Sequence, residues 1–388
     1  MAGTNTKKNL VGLDSYRFFA FLAVFFFHTG LLHCGYLGVQ AFFVLSGFLL
    51  TPILLDMKDH LSNRNYFLNF YGRRVLRIFP LYYFFLALSG SIVYLLLANG
   101  GFGADVTLGR MKHEYLYALT YTFDFLRAGK GPASSPYGHL WSLAVEEQFY
   151  LVWPLILVLT PKNRRRHVLL GIAALAVVFR IVEYCAVQYN IIPALNPNYD
   201  QVIYELPFSH LDAFAFGGFL ALFEVRRARL QFVLLLVGIP IVGMVTQYLA
   251  LGYIDWKSLG YNGMADSFKF VWGYSAINYF FALFLWQIVH HDLLHVLFHN
   301  RAFAYLGKIS YGLYVYHLPI LWIGMHNESR LGLPHWLMYL LCLVATVLVS
   351  MASYHLFEQR FLRLKDALFP KKKPEKDPVA LQVSVQHQ

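Results

Sequence analysis

Residues 10–32 read LVGLDSYRFFAFLAVFFFHTGLL, an apolar stretch that carries an arginine, Arg17, and a histidine, His28. The stretch is long enough to cross a bilayer as one helix. At about 100° per residue, the spacing of Arg17 and His28 places both on one face of that helix, about 16 Å apart along its axis. Ionisable side chains within an apolar span usually face a bundle interior or a water-filled cavity and mark a substrate path. The alternative is that Arg17 extends to the lipid headgroups and His28 is a hydrogen-bonded core residue.

The composition of the chain indicates a membrane protein with several spans. Of its 388 residues, 58% are hydrophobic and only 14% are charged, and the mean hydropathy is +0.48. Soluble globular domains carry about 25% charged residues, so a soluble fold is excluded. The formal net charge of +11 comes from short Lys and Arg clusters between apolar runs. That pattern is typical of the positive-inside rule rather than of a nucleic-acid-binding surface, and we predict no nucleic-acid partner.

About ten apolar runs have the length of a membrane span. They lie at roughly 10–32, 36–55, 78–98, 140–160, 167–188, 205–224, 230–250, 270–289, 303–325 and 335–357. Basic clusters fall on alternate connections, at 7–8, 73–77, 162–166, 226–229 and 371–373. Because basic residues accumulate on the cytoplasmic side of membranes, both termini are predicted to be cytoplasmic. The sequence therefore predicts an all-α, polytopic integral membrane helical bundle.

The chain reads as one transmembrane domain over residues 1–366, followed by a disordered basic cytoplasmic tail over 367–388. The first apolar run has no small-residue cleavage site, so it is predicted to be the first transmembrane helix rather than a signal peptide. An aromatic, glycine-rich loop at about 99–139 is expected outside and is long enough to cap a site. The basic segment 56–77 is predicted to be an interfacial helix that leads into the third span.

An arginine cluster in this basic segment is suited to bind an acidic ligand. Arg73, Arg74 and Arg77 lie close together before the third span. Arginines in this arrangement bind phosphates in a bidentate manner, although a positive-inside anchor has the same composition. In the first span, Asp14 lies three residues before Arg17, where it is placed to pair with the guanidinium group.

The fourth span begins with HLWSLAVEEQFYLVWPL at 139–155, which carries Glu146 and Glu147 in an apolar context. A carboxylate in that position either pairs with an intramembrane cation or has a function. One of the two is placed to orient His28 as a triad carboxylate does, and a structural ion pair is the alternative. In the ninth span, His317 is either a core histidine or a site residue. No covalent nucleophile is predicted, because no nucleophile motif is present. No metal site is predicted either, because the one run of histidines at helical spacing, in HHDLLHVLFHN at 290–300, has no cysteine ligand to support it.

Several segments resemble, in order, the acyltransferase-3 superfamily of membrane O-acyltransferases. They are LDSYRFFAFLAVFFFH with Arg17 and His28, FFVLSGFLLT, RRVLRIFPLYY, WSLAVEEQFYLVWPL, HLDAFAFG with Asp212, and SYGLYVYHLPI. Together they cover nearly the whole chain. Phe18 departs from the family pattern, since many members have glycine after the arginine. Many members also carry a fused extracytoplasmic esterase-like domain, and we expect this chain to act as the membrane domain alone.

The resemblance implies an enzyme that moves an acyl group, most often acetyl, from cytoplasmic acyl-CoA to a hydroxyl of an exported or surface carbohydrate. It implies a multi-pass protein of the bacterial inner membrane, in contact with lipid. The candidate site residues are His28, Arg17, Glu146 and Glu147 for catalysis, Arg73, Arg74, Arg77 and Arg17 for acyl-CoA, and Asp14, Trp141 and His317 for substrate. His28 is the expected general base. The competing hypothesis is a transporter or flippase for a glycan precursor, since intramembrane Arg, Glu and His also mark transport paths.

Overall fold

The computed structural model of the protein describes residues 2–98, 113–131 and 136–370. Within these ranges the chain forms helices and connecting turns without a β-strand, which confirms the predicted all-α class. The helices in chain order are α1 (Ala2–His28), α2 (Gly38–His60), α3 (Asn63–Ala98), α4 (113–119), α5 (Phe123–Ala128), α6 (Leu140–Leu159), α7 (Arg165–Gln188), α8 (Tyr199–Glu205), α9 (Leu211–Leu222), α10 (Ala228–Leu251), α11 (Lys269–His291), α12 (His295–Phe298), α13 (Arg301–Lys308), α14 (Ser310–Leu331), α15 (His335–Ser353) and α16 (Gln359–Leu368).

Eight helical segments of the described chain are long and apolar enough to cross a membrane, by length and composition. This agrees with the predicted helical membrane bundle. They are Val11–His28, His33–His60, Asn63–Ile92, Leu140–Leu159, Lys162–Gln188, Ala228–Leu251, Asp266–His291 and His335–Leu368.

Two of the predicted spans, at 205–224 and 303–325, are not among these eight segments. The first is divided between α8, a short turn at Pro207–His210 and α9. With 12 residues, α9 is about 18 Å long, which is shorter than a hydrocarbon core of about 30 Å. The second is divided between α13 and α14. The number of spans and the side on which the termini lie therefore stay predictions.

Helix α3 is continuous, although the sequence predicted an interfacial helix that ends at residue 77 and a separate third span that begins at residue 78. It has 36 residues and contains Pro80 within it. Membrane helices tolerate an interior proline when neighbouring groups satisfy the freed backbone. The expected boundary is therefore wrong, and Arg73, Arg74 and Arg77 lie together within one long helix.

Two further predictions fall partly outside the described residues. Of the loop predicted at 99–139, residues 99–112 and 132–135 are not described, and the remainder contains α4 and α5. Of the tail predicted at 367–388, residues 371–388 are not described. Helix α16 ends at Leu368, slightly beyond the predicted end of the domain.

Close backbone packing fixes the helices that surround the site. A Cβ atom on Gly47 would lie 2.0 Å from the carbonyl oxygen of Phe214, and one on Gly217 would lie 2.0 Å from that of Val44. Only glycine allows this approach, so α2 and α9 cross in direct backbone contact, as small residues permit in membrane bundles. On the other side of α1, Gly307 of α13 packs against the backbone of Asp14 in the same way.

A buried polar network joins α7, α9 and α11. Arg180 Nη2 lies 2.8 Å from Asp212 Oδ2, and both side chains are fully buried. Ser275 donates a 2.6 Å hydrogen bond to the same carboxylate oxygen, and Asn278 donates one of 2.9 Å to the other. The carboxylate of Asp212, which the family resemblance had singled out, therefore has a structural ion-pairing role away from the cavity described below.

Candidate active site

A cavity of about 320 Å³ lies among α1, α2, α3, α6 and α14. Its charged lining residues are Arg17, Arg74, Arg77, Glu146 and Glu147, all of which the sequence predicted as site residues. Leucine, isoleucine, valine and phenylalanine side chains form most of the remaining wall, together with several hydroxyl groups. The cavity is therefore an apolar chamber in which three guanidinium groups and two carboxyl groups meet, and the arginines suit a ligand that has both an apolar part and an anionic part.

The three cavity arginines are held in different ways. Arg17 of α1 forms the expected ion pair with Asp14, one helical turn earlier. On α3, the guanidinium group of Arg74 lies 4.8 Å from the ring centre of Tyr150, a cation–π contact that fixes its direction. Arg77 follows Arg74 by three residues, so the two share a face of α3.

Arg73 points away from this cavity, although it precedes Arg74 directly. Its Nη2 atom lies 2.8 Å from Asp366 Oδ1 on α16, and its Nη1 atom donates a hydrogen bond to the carbonyl oxygen of Phe369. One residue along an α-helix turns the side chain by about 100°, which explains the separation. The structure thus divides the predicted arginine cluster into two cavity residues and one residue that binds the C-terminal helix.

Glu146 is the centre of a hydroxyl cluster in the cavity wall. Ser46 Oγ donates a 2.5 Å hydrogen bond to Glu146 Oε1, and the Tyr150 hydroxyl donates to the same oxygen. Glu147 lines the cavity beside it. The contacts shown for the described residues pair neither carboxylate with His28. Ser46 and Tyr150 were not among the site residues predicted from the sequence, although the position of Tyr150 one turn after Glu146 was a usable signal.

His28 lies at the C-terminal end of α1, in a group of three histidines that does not line the cavity. The ring centre of His28 is 5.3 Å from that of His317, and His317 is 5.1 Å from His139. His139 was not identified from the sequence, because it lies more than a hundred residues from the other two.

Tyr314 of α14 separates the cavity from the three histidines. Its hydroxyl lies 2.5 Å from Ser142 Oγ, and both residues line the cavity. On its other side, the Tyr314 ring centre is 5.3 Å from His317 and 5.6 Å from His139. The cavity and the histidine group therefore lie next to each other, with one aromatic side chain between them.

A model of an acyltransferase domain family matches residues 10–355, which include the whole cavity and all three histidines. The chain belongs to this acyltransferase family. It is 27% identical over 363 residues to YrhL of Bacillus subtilis, which is provisionally named a peptidoglycan O-acetyltransferase; the match covers 92% of this chain and 55% of YrhL. It is 26% identical over 395 residues to the O-acetyltransferase OatA of Staphylococcus aureus, with 95% of this chain and 60% of OatA covered. The acyltransferase chain thus spans somewhat more than half the length of these relatives. No solved structure matches it.

Two other predictions for this chain concern Trp141 and a metal site. Trp141 is buried among aromatic rings, 4.6 Å from the ring centre of Tyr204 and 5.7 Å from that of His210, and it is not part of the cavity lining. Among the described residues, no group of three or more His, Cys, Asp or Glu side chains is arranged to hold a metal ion. The absence of a metal cofactor stays a prediction.

Proposed function

We propose that the protein is a membrane O-acyltransferase that moves an acyl group, acetyl by analogy with its relatives, from acyl-CoA to a hydroxyl of a cell-surface carbohydrate. The observation that carries the proposal is the convergence of Arg17, Arg74 and Arg77 on one apolar cavity. Tyr314 in the cavity wall contacts His317, which in turn contacts His28. A bacterial cytoplasmic membrane is the proposed location, with the exposed apolar helix faces in contact with lipid. Since YrhL is provisionally named a peptidoglycan O-acetyltransferase, a cell-wall glycan is the proposed acceptor.

The cavity is proposed to hold the acyl-pantetheine arm of the donor. A volume of about 320 Å³ is at the lower end of the range for small-molecule sites, too small for the entire coenzyme. The arginines would bind the phosphates, because guanidinium groups form charge-assisted bonds to phosphate oxygens. Arg73 would contribute by exchanging Asp366 for a phosphate, and Asp14 would hold Arg17 in place. The donor would enter from the predicted cytoplasmic side.

His28 is proposed to act as the general base on the acceptor. It takes the proton of the acceptor hydroxyl while the oxygen attacks the thioester carbonyl. The tetrahedral intermediate then expels the CoA thiolate, which receives that proton from the imidazolium and leaves as a thiol. Arg17 is about 16 Å from His28 along α1, so it holds the body of the donor and does not touch the acyl group. Glu146 and Glu147 would shape the donor side, and Trp141 and His317 the acceptor side.

The test uses the full chain in lipid nanodiscs with [14C]acetyl-CoA as donor and soluble peptidoglycan fragments as acceptor. Acetyl-CoA should raise the unfolding temperature, and label should appear in the fragments as free CoA is released. His28→Ala should keep the shift in unfolding temperature but transfer acetyl at least about 100-fold more slowly. His60→Ala, on the exposed end of α2, is the control and should behave as wild type.

Two results would overturn the proposal. One is the absence of any stabilisation by acetyl-CoA, and the other is a wild-type transfer rate in His28→Ala. In sealed proteoliposomes, movement of labelled glycan fragments across the bilayer without release of CoA would favour the transporter hypothesis instead.

A further inference from the structure

Two buried imidazole nitrogens next to His28 have no hydrogen-bond partner in the described part of the chain. They are Nδ1 of His139 and Nε2 of His317. The side chains are almost completely buried, with 2% of His139 and none of His317 exposed. Buried polar atoms are nearly always paired, so unpaired atoms in such a place point to a missing donor.

The hydrogen bonds on the opposite side of each ring identify both atoms as acceptors. His317 Nδ1 lies 2.6 Å from the carbonyl oxygen of Tyr314, and His139 Nε2 lies 3.0 Å from that of Val315. A carbonyl oxygen only accepts, so each of these ring nitrogens carries the hydrogen. In a neutral imidazole the other nitrogen then carries no hydrogen and accepts through its lone pair.

The sequence explains why Val315 is available to accept. In a regular helix its carbonyl would receive the backbone N–H of the residue four positions later, which is Pro319. Pro319 has no backbone N–H, so the carbonyl of Val315 has no partner within α14 and is free to accept the hydrogen bond from His139. The ring of His139 is thereby fixed edge-on against His317, at an interplanar angle of 72°.

The ring of His28 is at the right distance to supply a donor to His317. Two imidazoles joined by an N–H···N bond have ring centres about 5 Å apart, and those of His28 and His317 are 5.3 Å apart. The separation therefore allows a rotation of the His28 ring to place one of its N–H groups on the lone pair of His317. In the described residues no carboxylate forms a hydrogen bond with His28, so the orienting partner common in catalytic triads is missing.

We propose that His317 is the positioning residue for His28. In this arrangement Nε2 of His317 accepts a hydrogen bond from one ring N–H of His28. The other ring nitrogen of His28 then carries no hydrogen, and its lone pair points at the acceptor hydroxyl. This inference rests on the proposed role of His28 as general base. When His28 takes the proton of the hydroxyl, the resulting imidazolium keeps its hydrogen bond to His317. The carbonyl of Tyr314 fixes the tautomer of His317 in the way that a backbone or carboxylate partner fixes a catalytic histidine.

The experiment compares His317→Leu, which cannot accept a hydrogen bond, with His317→Gln, whose side-chain amide oxygen can. Both are made in the full chain and assayed in nanodiscs with [14C]acetyl-CoA and peptidoglycan fragments. His317→Leu should lower kcat by about 10- to 100-fold, as expected when a general base loses its orientation, with KM for acetyl-CoA within twofold of wild type. His317→Gln should recover at least a third of the wild-type kcat, and both variants should retain the stabilisation by acetyl-CoA.

A double-mutant cycle separates positioning from a structural role. If His317 acts only through His28, adding His317→Leu to His28→Ala should not reduce the residual rate further. An equal loss in both backgrounds, or a wild-type kcat in His317→Leu, would overturn the inference. If His317→Leu does not fold, His317→Gln alone decides: a kcat lower than one hundredth of wild type with normal unfolding temperature contradicts the proposal. A wild-type rate in His28→Ala would refute the proposed function itself, which the single variants of His317 do not test.

Discussion

Ser46 Oγ donates a 2.5 Å hydrogen bond to Glu146 Oε1, and this bond joins α2 to α6 in the wall of the cavity. A hundred residues separate the two in sequence. The same carboxylate oxygen receives the hydroxyl of Tyr150, over which Arg74 stacks. A serine in an apolar helix thus supports, through two intermediates, the direction of a cavity arginine.

We expect Ser46→Ala to destabilise the protein by about 1–3 kcal/mol, because Glu146 Oε1 loses one of its two hydroxyl donors. Thermal unfolding in nanodiscs measures the effect. Thr246→Ala on α10 removes a hydroxyl that bonds only within its own helix and should cost about 0.5 kcal/mol or less. Equal losses for the two variants would show that the link between Ser46 and Glu146 adds nothing.

The arginines of α3 should differ in their effect on donor binding. Replacement of Arg74 or Arg77 by glutamine should raise KM for acetyl-CoA by about 10- to 100-fold, since each removes a charge-assisted bond to the ligand. Arg73→Gln should have a smaller effect, because Arg73 must first leave Asp366. Arg226→Gln, at an exposed position, is the control. Initial rates at varied acetyl-CoA concentration give the three KM values. A larger increase in KM for Arg73→Gln than for Arg74→Gln would contradict the prediction.

Tyr314 should limit the reaction of the donor with water. Tyr314→Ala removes the ring between the cavity and the histidines, so we expect hydrolysis of acetyl-CoA without acceptor to rise at least about tenfold, because a closed site protects reactive intermediates from water. Tyr314→Phe keeps the ring and loses only the bond to Ser142, and should hydrolyse acetyl-CoA at nearly the wild-type rate. Thiol release measured without acceptor tests this. Slow hydrolysis in the alanine variant would mean that the ring is no barrier.

The ion pair between Arg180 and Asp212 should be essential for stability and not for chemistry. Asp212→Asn leaves a buried guanidinium without its counter-ion, which costs about 3–5 kcal/mol. The double replacement Arg180→Met with Asp212→Leu should cost less than the single one, since no uncompensated charge remains. Arg166→Met, on the exposed start of α7, is the control. Unfolding temperatures give the comparison, and a milder loss for Asp212→Asn than for the double variant would disprove this account.

Two aspartates in the connections outside the spans should give opposite pH dependence. Burial raises the pKa of Asp200 from 3.8 to about 6. When the pKa of a group is higher in the folded state, its contribution to stability is fully present at pH values below the pKa of the unfolded state. That contribution is lost as the pH rises through the folded-state pKa of about 6. We therefore expect the unfolding temperature of Asp200→Asn, relative to that of wild type, to increase as the pH is raised from about 5 to about 7.5.

Asp255 is the comparison for that measurement. Burial acts to raise the pKa of Asp255, but hydrogen bonds from His33 and from the backbone of Lys257 lower it below its ordinary value. The stability it contributes is present above the unfolded-state pKa and is lost as the pH falls through the lower folded-state value. Asp255→Asn should therefore be less stable than wild type at neutral pH. The same sign for both variants at pH 7.5 would contradict these assignments.

Much of the architecture follows from local sequence patterns. Apolar runs of membrane-span length gave the all-α membrane class, and helical periodicity placed Arg17 beside Asp14. Local patterns failed where tertiary contacts compensate for an unfavourable residue or shorten an element. Pro80 does not interrupt α3, and α9 is shorter than its apolar run because a turn at Pro207–His210 replaces the start of the helix.

The sequence by itself determined the class of protein, its family, and the residue types that can bind an acidic donor and activate a hydroxyl. Tertiary structure alone decided which of them meet. Arg74 faces the cavity while Arg73 binds Asp366, Glu146 contacts Ser46 and not His28, and His28 adjoins His317. The physical reason is that helical periodicity specifies a face of one helix, whereas the partner of that face depends on close packing between helices distant in the chain.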